Sequence, residues 1–216
     1  MSGFFIRKKD YYPYERYLFL QEGLRKKRKE LVLICEHLPV LTAGVNALEE
    51  NLLSDEKKLA ENQISIFRIK RGGDFTAHEP GQIVIYPHID LKKRKIQLSP
   101  FVRQLFFITE ESIREIWNIQ LDYNESDPGL YLEKKFKIVS GGTAFKSFFT
   151  SHGISINIKN NLSTFKHIIP CGLKDIIPAS LAEHGADVSR TEDFLQLWSQ
   201  KFEQYLTEPP PSHMHS

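Results

Sequence analysis

The stretch RGGDFTAHEPGQIVIY, residues 71–86, joins a glycine-rich loop to a short apolar run. We expect neither helix nor regular strand across residues 71–81, because their three glycines and one proline interrupt both. Residues 82–86 predict a strand, and the alternating residues 64–69 predict another before the loop. The loop is either a ligand-binding loop or a demanding turn, since glycines let backbone N–H groups approach a ligand closely. It matches neither GxxxxGK(S/T) nor GxGxxG, so nucleotide binding is not indicated.

Outward from this stretch, the patterns predict a single α+β domain over residues 1–206. Strands are predicted at residues 31–35, 129–139, 144–149 and 154–158. Helices are predicted from Asn46 to about residue 60, from Ser99 to Trp117 with Pro100 at the first helical position, and from Thr191 to Tyr205. Turns are expected at residues 36–44 and 122–129, and the proline-rich tail 207–216 is predicted to be disordered.

The composition of the 216-residue chain is ordinary for a globular protein, with 41% hydrophobic and 26% charged residues. Its net charge of +2 is too small to indicate nucleic-acid binding. Residues 1–17 lack the apolar segment of a signal peptide, and no apolar run reaches the length of a membrane span. We therefore expect a cytoplasmic protein that binds neither nucleic acid nor a membrane.

Two basic runs depart from this balance, Arg25-Lys26-Lys27-Arg28-Lys29 and Lys92-Lys93-Arg94-Lys95. Such a run is usually a solvated surface. The functional alternative is a docking patch for an acidic partner, whose association rate electrostatic steering would raise.

Three side chains are candidates for chemistry, and each has a structural alternative. Lys137 lies at the edge of an apolar strand, where a lysine usually reaches the surface. His152 is a ligand, a base or, by default, a hydrogen-bonded core histidine. Cys171 lies between a proline and a glycine on a tight turn that would present its thiol, although free cysteines are more often buried and inert.

Metal and disulfide chemistry are not expected. The two cysteines, Cys35 and Cys171, form no paired CxxC, and Cys35 is assigned to the core. Eight histidines are present, but no HExxH motif occurs. A free thiol is compatible with a reducing cytosol.

Four motifs, taken together and in this order, resemble those of the octanoyltransferase family, also called lipoate–protein ligase B. They are RGGDFTAHEPGQ at 71–82, KIVSGG at 137–142, TSHGISIN at 150–157 and IIPCGL at 168–173. The EHLP segment at 36–39 is similar to an early motif of the same family. The resemblance covers about residues 31–185. It implies a mixed β-sheet flanked by helices, similar to the lipoate and biotin protein ligase fold.

The resemblance also implies roles for particular residues. The family's acyl-carrying cysteine corresponds to Cys171, and the lysine that assists it corresponds to Lys137. The acyl-binding positions correspond to Arg71, Gly72, Gly73, Asp74, Phe75, Thr76, Ala77, His78, Ser140, Gly141, Gly142, Gly153, Ile154 and Ser155. No metal and no cofactor are implied.

The implied reaction uses two protein partners and no ATP. Cys171 takes an octanoyl group from acyl carrier protein as a thioester. It passes the group to a lysine of a lipoyl domain, in the 2-oxoacid dehydrogenases or the glycine cleavage H protein. Because a free cysteine with a pKa near 8.5 is only about 3% thiolate at pH 7, a neighbouring amine or ammonium would raise the reactive fraction. We expect the protein to act as a monomer.

The sequence departs from the family pattern at Glu79, where Gly is usual, and at Asp74, Ala77 and residues 140–142. We expect Glu79 to add a carboxylate and a Cβ near the pocket, where its effect would be to weaken activity. Together, these departures leave the acyl chain-length preference open. Three alternatives remain open. They are an ATP-dependent lipoate or biotin ligase, which needs no nucleophilic cysteine, a lipoyl amidotransferase, which differs only in its donor, and a binding module without catalysis.

Overall fold

A computed structural model describes residues 5–170 and 176–208 of the chain. The strands in these ranges are β1 Phe5–Tyr11, β2 Leu31–Glu36, β3 Val40–Ala43, β4 Ser65–Arg68, β5 Phe75–His78, β6 Gln82–His88, β7 Asp122–Asn124, β8 Gly129–Leu132, β9 Phe136–Gly141, β10 Ala144–Lys146, β11 Phe149–Ser151, β12 Ile154–Asn157 and β13 Ile177–Pro178. The helices are α1 Tyr14–Lys27, α2 Glu56–Glu61, α3 Leu91–Arg94, α4 Leu98–Trp117 and α5 Thr191–Thr207.

Eight strands form the main sheet in the order β1-β2-β6-β12-β9-β8-β7, with β13 beside β9. The pairs β1–β2 and β13–β9 are parallel and the others are antiparallel, so the sheet is mixed. A second sheet of three strands has the order β4-β3-β5, and β10 and β11 form a separate hairpin. The predicted α+β class with a mixed, helix-flanked sheet is confirmed.

The central strands bury both faces, because alternate side chains point to opposite sides of a strand. On β2, Val32 and Ile34 pack in the core beneath α4 and α5, whereas Leu33 and Cys35 pack with α1. The α5 side chain Trp198 stacks on Phe202 and donates its Nε1–H to Thr109 Oγ1 at 2.9 Å. The continuous apolar run of β2 is therefore the expected signature of a doubly covered strand. Cys35 is 1% exposed, in agreement with its assignment to the core.

The small sheet has a core of its own, which holds the glycine-rich loop beside the main sheet. Leu41 of β3 and Ala77 of β5 pack in it with Leu59 of α2 and with Phe165. Strand β3 pairs with β4 on one side and with β5 on the other. Two expectations are corrected here: residues 36–44 contain β3, and residues 71–81 contain β5.

The sequence patterns did not predict two elements near the N-terminus, β1 and α1. β1 is an edge strand, and four consecutive charged residues, Arg7 to Asp10, are exposed on it. Charged side chains are common on edge strands because they discourage pairing with another chain. They also remove the apolar signal by which the strand would be predicted.

Residues 46–60 do not form the single predicted helix. A 3-10 turn spans Glu49–Asn51, and α2 starts only after Asp55, whose carboxylate accepts from Lys58 N–H at 2.8 Å. The reason is tertiary, because the Asn51 amide donates to the Asp74 carboxylate and holds the chain against the glycine-rich loop.

Two predicted strands are interrupted by tight turns. Residues 129–139 divide into β8 and β9 at Glu133 and Lys134, and the segment 144–149 breaks after β10 at Ser147 and Phe148. All four turn residues have positive φ, as in tight hairpin turns; two residues separate the paired Lys146 and Phe149, and three separate Leu132 from Phe136. Such turns usually carry Asn or Gly, so these two lacked the signal that would have located them.

Smaller differences concern the ends of elements. α4 starts at Leu98, so Pro100 is its third residue, where a missing N–H costs no helical hydrogen bond. The turn expected at residues 122–129 begins with β7. α5 begins at Thr191, which is helical rather than the cap, and ends at Thr207, one residue past the predicted domain boundary. In the part of the chain that the structure describes, no helix has the length and apolar character needed to cross a bilayer.

Candidate active site

A cavity of about 210 Å³ lies between the main sheet and the glycine-rich loop. Val84 of β6, Ser140 of β9 and Ile154 of β12 line one side, and residues 71–76 line the other. Pockets for drug-sized ligands measure about 300–1,000 Å³, so this space suits a thin, unbranched chain better than a bulky ring system.

Thirteen of the fourteen residues expected to bind an acyl group line this cavity. They are Arg71, Gly72, Gly73, Asp74, Phe75, Thr76, His78, Ser140, Gly141, Gly142, Gly153, Ile154 and Ser155. Ala77 is the exception, since it is fully buried in the core of the small sheet. Its neighbours Thr76 and His78 line the cavity because alternate residues of β5 point to opposite faces. The structure shows where these residues lie, and acyl binding by them remains a prediction.

Arg71 organises the glycine-rich loop from within. Its guanidinium is buried and donates to the carbonyl oxygens of Thr42 and Asp74, both at 2.7 Å, and to Gly72 O at 2.8 Å. Arginine suits this task because its fork of N–H donors can satisfy several carbonyls at once. The loop is therefore held in one shape by the residue that begins it.

Asp74 fixes the other end of the loop. Its carboxylate accepts from Phe75 N–H at 2.7 Å, from Leu48 N–H at 3.2 Å and from the Asn51 amide. These bonds satisfy a charge that is 9% exposed. Asp74, atypical for the octanoyltransferase pattern, thus ties the loop to the chain after β3.

Two glycines on the opposite side permit close packing around the cavity. A Cβ on Gly141 would lie 2.4 Å from Phe106 Cζ, and one on Gly153 would lie 2.1 Å from Ile85 O. Gly142 N–H also donates to Gly153 O at 2.9 Å, which joins the ends of β9 and β12. Any side chain at Gly141 or Gly153 would displace the wall.

Buried aromatic and histidine rings lie below the cavity. Tyr17 stacks on Tyr86 with ring centres 3.8 Å apart, and its hydroxyl oxygen accepts from His152 N–H at 2.8 Å. His78 stacks on Tyr14, and its Nδ1–H donates to Gln82 Oε1 at 2.7 Å. Burial, the largest cause, lowers the pKa of both His78 and His152 to about 3, so both rings are neutral at pH 7. His152 is a buried cavity residue, in line with its default interpretation.

Lys137 is almost completely buried in β9, with its side chain 4% exposed. Its Nζ donates to Asp127 Oδ2 at 2.5 Å and lies 5.3 Å from the centre of the Tyr131 ring. The Tyr131 hydroxyl donates to the same carboxylate oxygen. A buried ammonium needs an opposite charge and hydrogen bonds, and Asp127 supplies both. Asp127 and Pro128 line the cavity, so this ion pair lies at its wall.

Gly129 makes room for this lysine. A Cβ on Gly129 would lie 2.7 Å from Lys137 Cε and 2.6 Å from Val139 O. The β8–β9 hairpin therefore brings Asp127, Tyr131 and Lys137 together only because glycine occupies this position.

Asp127 and Tyr131 are functional candidates that sequence reasoning missed. The available signal was the segment DPGLY at 127–131, which places a carboxylate and a phenol on either side of a glycine. This segment points to the site only once it is paired with β9, the strand that carries Lys137. The hairpin turn that sets this pairing was not predicted.

Cys171 lies outside the described residues. The residues before it are anchored near the loop, because Ile169 N–H donates to Asn51 O at 2.8 Å. The residues after it lie beside the lysine, since Pro178 pairs with Lys137 and Ala179 N–H donates to Lys137 O at 3.1 Å. The described residues on either side of Cys171 are thus tied to Asn51, which donates to the loop residue Asp74, and to Lys137.

Glu79 is not among the residues that line the cavity, which corrects its expected position. Its carboxylate is buried and accepts from the Asn160 amide at 2.9 Å and from Thr164 N–H at 2.8 Å. Glu79 therefore joins the end of β5 to residues 160–164. It thus has no direct contact with the space that an acyl chain would fill.

The EHLP segment also supports the site from outside. The Glu36 carboxylate accepts from Gly81 N–H at 2.6 Å, at the end of the glycine-rich loop. His37 donates its Nδ1–H to Tyr12 O at 2.5 Å and accepts from the Tyr86 hydroxyl at 2.9 Å. Glu36 and His37 therefore stabilise the end of the glycine-rich loop and β6 through hydrogen bonds, without lining the cavity.

Comparison with known proteins identifies the family. The model of the lipoyl protein ligase A/B catalytic domain matches residues 12–203. The chain belongs to this family. The resemblance drawn from its motifs is confirmed.

Similar members of the lipoyl protein ligase A/B family are octanoyltransferases. That of Leptospira interrogans (serovar copenhageni, strain Fiocruz L1-130) is 48% identical over 177 residues, which cover 81% of this chain and 82% of that protein. That of Alkaliphilus metalliredigens is 35% identical over 175 residues and covers 79% and 80%.

Solved structures of lipoate protein ligases share the fold. A lipoate–protein ligase A bound with ATP gives a TM-score of 0.69 at 13% identity and covers 94% of this chain and 86% of its own. The bipartite lipoate protein ligase of Thermoplasma acidophilum gives 0.68 at 13% identity and covers 95% and 84%. At such low identity the likeness shows the fold alone.

Proposed function

We propose that this protein is an octanoyltransferase of protein lipoylation. It takes octanoyl from acyl carrier protein onto Cys171 and passes it to a lysine of a lipoyl domain, such as those of the 2-oxoacid dehydrogenases or the glycine cleavage H protein. The observation that carries the proposal is Lys137, a buried ammonium held by Asp127 at the wall of a narrow cavity. The octanoyltransferases that match most of the chain support the assignment of the acyl group.

In the first half-reaction, the Cys171 thiolate attacks the thioester carbonyl carbon of the octanoyl carrier. The carbon–sulfur bond to the carrier breaks, and the departing thiolate takes a proton from the Lys137 ammonium. The backbone N–H groups of the glycine-rich loop are suited to stabilise the oxyanion, because Arg71 and Asp74 hold them in place before the reaction. An octanoyl-Cys171 thioester and a neutral Lys137 result.

In the second half-reaction, the amine of the acceptor lysine attacks the octanoyl-Cys171 carbonyl. Neutral Lys137 takes the proton that the amine loses, and the Cys171 thiolate leaves as the amide forms. Lys137 and Cys171 thereby return to their starting charges, so no other acid or base is required. Thioester exchange is nearly isoenergetic and amide formation is downhill, so no ATP is consumed.

Arg71 and the neutral histidines shape the cavity for an apolar chain. Arg71 donates to backbone carbonyls, and the low pKa values of His78 and His152 keep their rings uncharged at pH 7. Val84, Val102 and Phe106 supply apolar contacts along the cavity. We propose that the carbonyl end of octanoyl lies toward Lys137 and that its tail lies among these side chains.

The test is an intact-mass measurement on the purified protein mixed with octanoyl-loaded carrier protein. We expect one octanoyl adduct, which hydroxylamine removes and which Cys171→Ser abolishes. Cys35→Ala is the matched control, because burial raises the pKa of the Cys35 thiol and the adduct should persist without it. An adduct that survives Cys171→Ser would contradict the mechanism.

An ATP-dependent ligase is the second candidate, because the family model that matches the chain is that of a lipoyl protein ligase A/B catalytic domain. Octanoylation of a lipoyl domain from free octanoate and ATP, with no carrier protein, would favour this alternative. We expect no product under those conditions and transfer without ATP when the carrier is supplied.

A further inference from the structure

The two basic runs, far apart in the sequence, meet in one surface. Arg28 Nη2 forms an ion pair with Asp90 Oδ1 at 2.5 Å, just ahead of α3, and Arg94 Nη2 reaches Glu30 Oε2 at 2.8 Å. Residues 22–30 and 90–95 together hold nine lysines and arginines against three carboxylates, whereas the whole chain has a net charge of only +2. We call the surface of these two segments the basic patch.

The tip of the β10–β11 hairpin completes this surface. Ser147 O accepts from Arg28 Nη1 at 3.2 Å, and Phe148 O accepts from Leu91 N–H at 2.9 Å. Arg28, Lys92, Lys93, Ser147 and Phe148 line a shallow groove of about 740 Å³. The hairpin therefore sits directly on the junction of the two runs.

Folding alone does not account for Phe148 at this tip. Its side chain is 61% exposed and its φ is 61°, a region that phenylalanine adopts only with strain. Phe145 on the same hairpin is 57% exposed. Exposed aromatics beside a charged surface are typical of protein interfaces.

The hairpin also connects this surface to the cavity. Its strands leave from Gly142 and Thr143 and return at His152 and Gly153, and all four residues line the cavity. The three residues of β10, Ala144–Lys146, separate Thr143 at the wall from Ser147, which places the tip about 13 Å from that wall. A protein bound at the tip would lie beside the cavity mouth without covering it.

We infer that the basic patch and the hairpin tip form the docking site for the acidic carrier protein that delivers the octanoyl group. This inference rests on the proposed function and specifies which partner uses the surface. The donor carries its acyl group on a long phosphopantetheine arm, so it can dock away from the mouth. The acceptor presents a lysine side chain, which is short, so its domain must dock at the mouth itself. The basic charge complements an acidic carrier, and Phe145 and Phe148 provide apolar contacts.

The experiment compares two donors in the same acylation assay. Two variants are tested separately, Lys92→Glu/Lys93→Glu and Phe148→Gly. Each is mixed with octanoyl-carrier protein or with octanoyl-pantetheine, which has the thioester but no protein. We expect kcat/KM for acylation from the carrier to fall by about tenfold or more at low salt. Acylation from octanoyl-pantetheine should stay within about twofold of wild type.

Matched variants separate docking from folding and from net charge. Arg7→Glu/Lys9→Glu changes the net charge equally on exposed positions of β1 and should keep the wild-type rate with the carrier. Ser147→Asn places a residue that favours positive φ at the turn while Phe148 remains, and it should also keep that rate. Phe148→Gly should raise the melting temperature while it slows carrier-dependent acylation.

Three outcomes would overturn the inference. They are a wild-type rate with the carrier in the charge-reversed variant, an equal loss with both donors, or a loss confined to transfer from octanoyl-enzyme to a lipoyl domain. The third would assign the surface to the acceptor. Failure of the wild-type protein to form an adduct with either donor would instead reject the proposed function.

Discussion

Lys137 is an unusual lysine for a β-strand, because its charge is buried and paired rather than exposed to water. Removal of Asp127 would take away the carboxylate that pairs with this buried ammonium and would displace the lysine. We expect Asp127→Asn to slow the formation of octanoyl-Cys171 by about 10- to 100-fold, part of the usual contribution of a positioned proton donor. The rate is measured by intact mass after rapid mixing with saturating octanoyl carrier.

A purely structural role for Asp127 predicts a different result. In that case Asp127→Asn would lower the melting temperature while the single-turnover rate stayed near wild type well below that temperature. Asp127→Glu keeps the charge and should recover part of the rate. Tyr131→Phe, which removes one donor to the carboxylate but no charge, should be milder than Asp127→Asn.

At the residue scale, the sequence located the lysine and the loop but not the contacts that define their roles. Lys137 and Arg71 were named through motifs, whereas Asp127 and Tyr131 join the site only through the pairing of β8 with β9. Glu79 shows the converse. Its identity was visible in the sequence, but its hydrogen bonds to Asn160 and Thr164 were not.

At the scale of elements, the β8–β9 hairpin depends on the absence of a side chain at Gly129. A Cβ there would overlap Lys137 Cε and Val139 O, so Gly129→Ala forces the strand or the lysine to shift. We expect a loss of about 1–3 kcal/mol in the free energy of unfolding, as in other overpacked sites, together with slower acylation of Cys171. Urea unfolding and the acylation assay measure the two effects.

Gly23 of α1 is the matched control for this substitution. A Cβ there has nothing within 4 Å, and alanine is the better helix former by about 0.5–1 kcal/mol. Gly23→Ala should therefore stabilise the protein and leave acylation from octanoyl-pantetheine, which needs no docking at the basic patch, unchanged. Equal responses of the two variants would show that crowding at Gly129 has no consequence.

The elements that the sequence predicted well are those with a strong apolar period. The core of the main sheet contains residues of β2, β6, α4 and α5. Because the inward faces of these elements are buried, their apolar residues recur with the period of a strand or a helix. β1 and the two hairpin turns with positive φ carry charged or ordinary residues at positions where only pairing determines the structure. The conformation at such positions is determined by contacts with distant parts of the chain, which local sequence patterns do not reveal.

For the whole molecule, buried histidines link stability to pH. Burial is the largest cause that lowers the pKa of His37 and His88 to about 4 and that of His78 and His152 to about 3. In the unfolded chain these groups return to about 6.5, so between these values the unfolded chain binds more protons. The free energy of unfolding therefore has its full value above pH 6.5 and falls as the pH drops toward 4.

The size of this effect makes acid unfolding a sharp test. Each group contributes about 1.4 kcal/mol per pH unit within its window, against a total stability of about 5–15 kcal/mol for a typical domain. We expect the acid unfolding transition near pH 5, and circular dichroism measures it. His88 is the group to replace, since neither ring nitrogen has a partner at full hydrogen-bond geometry among the described residues, and only an interaction with the Thr150 backbone acts on its pKa besides burial. His88→Leu should shift the midpoint to lower pH at little cost at pH 7. His37→Leu, which deprives Tyr12 O and the Tyr86 hydroxyl of a partner, should destabilise the protein at pH 7. An unchanged acid midpoint in His88→Leu would assign the transition to carboxylates instead.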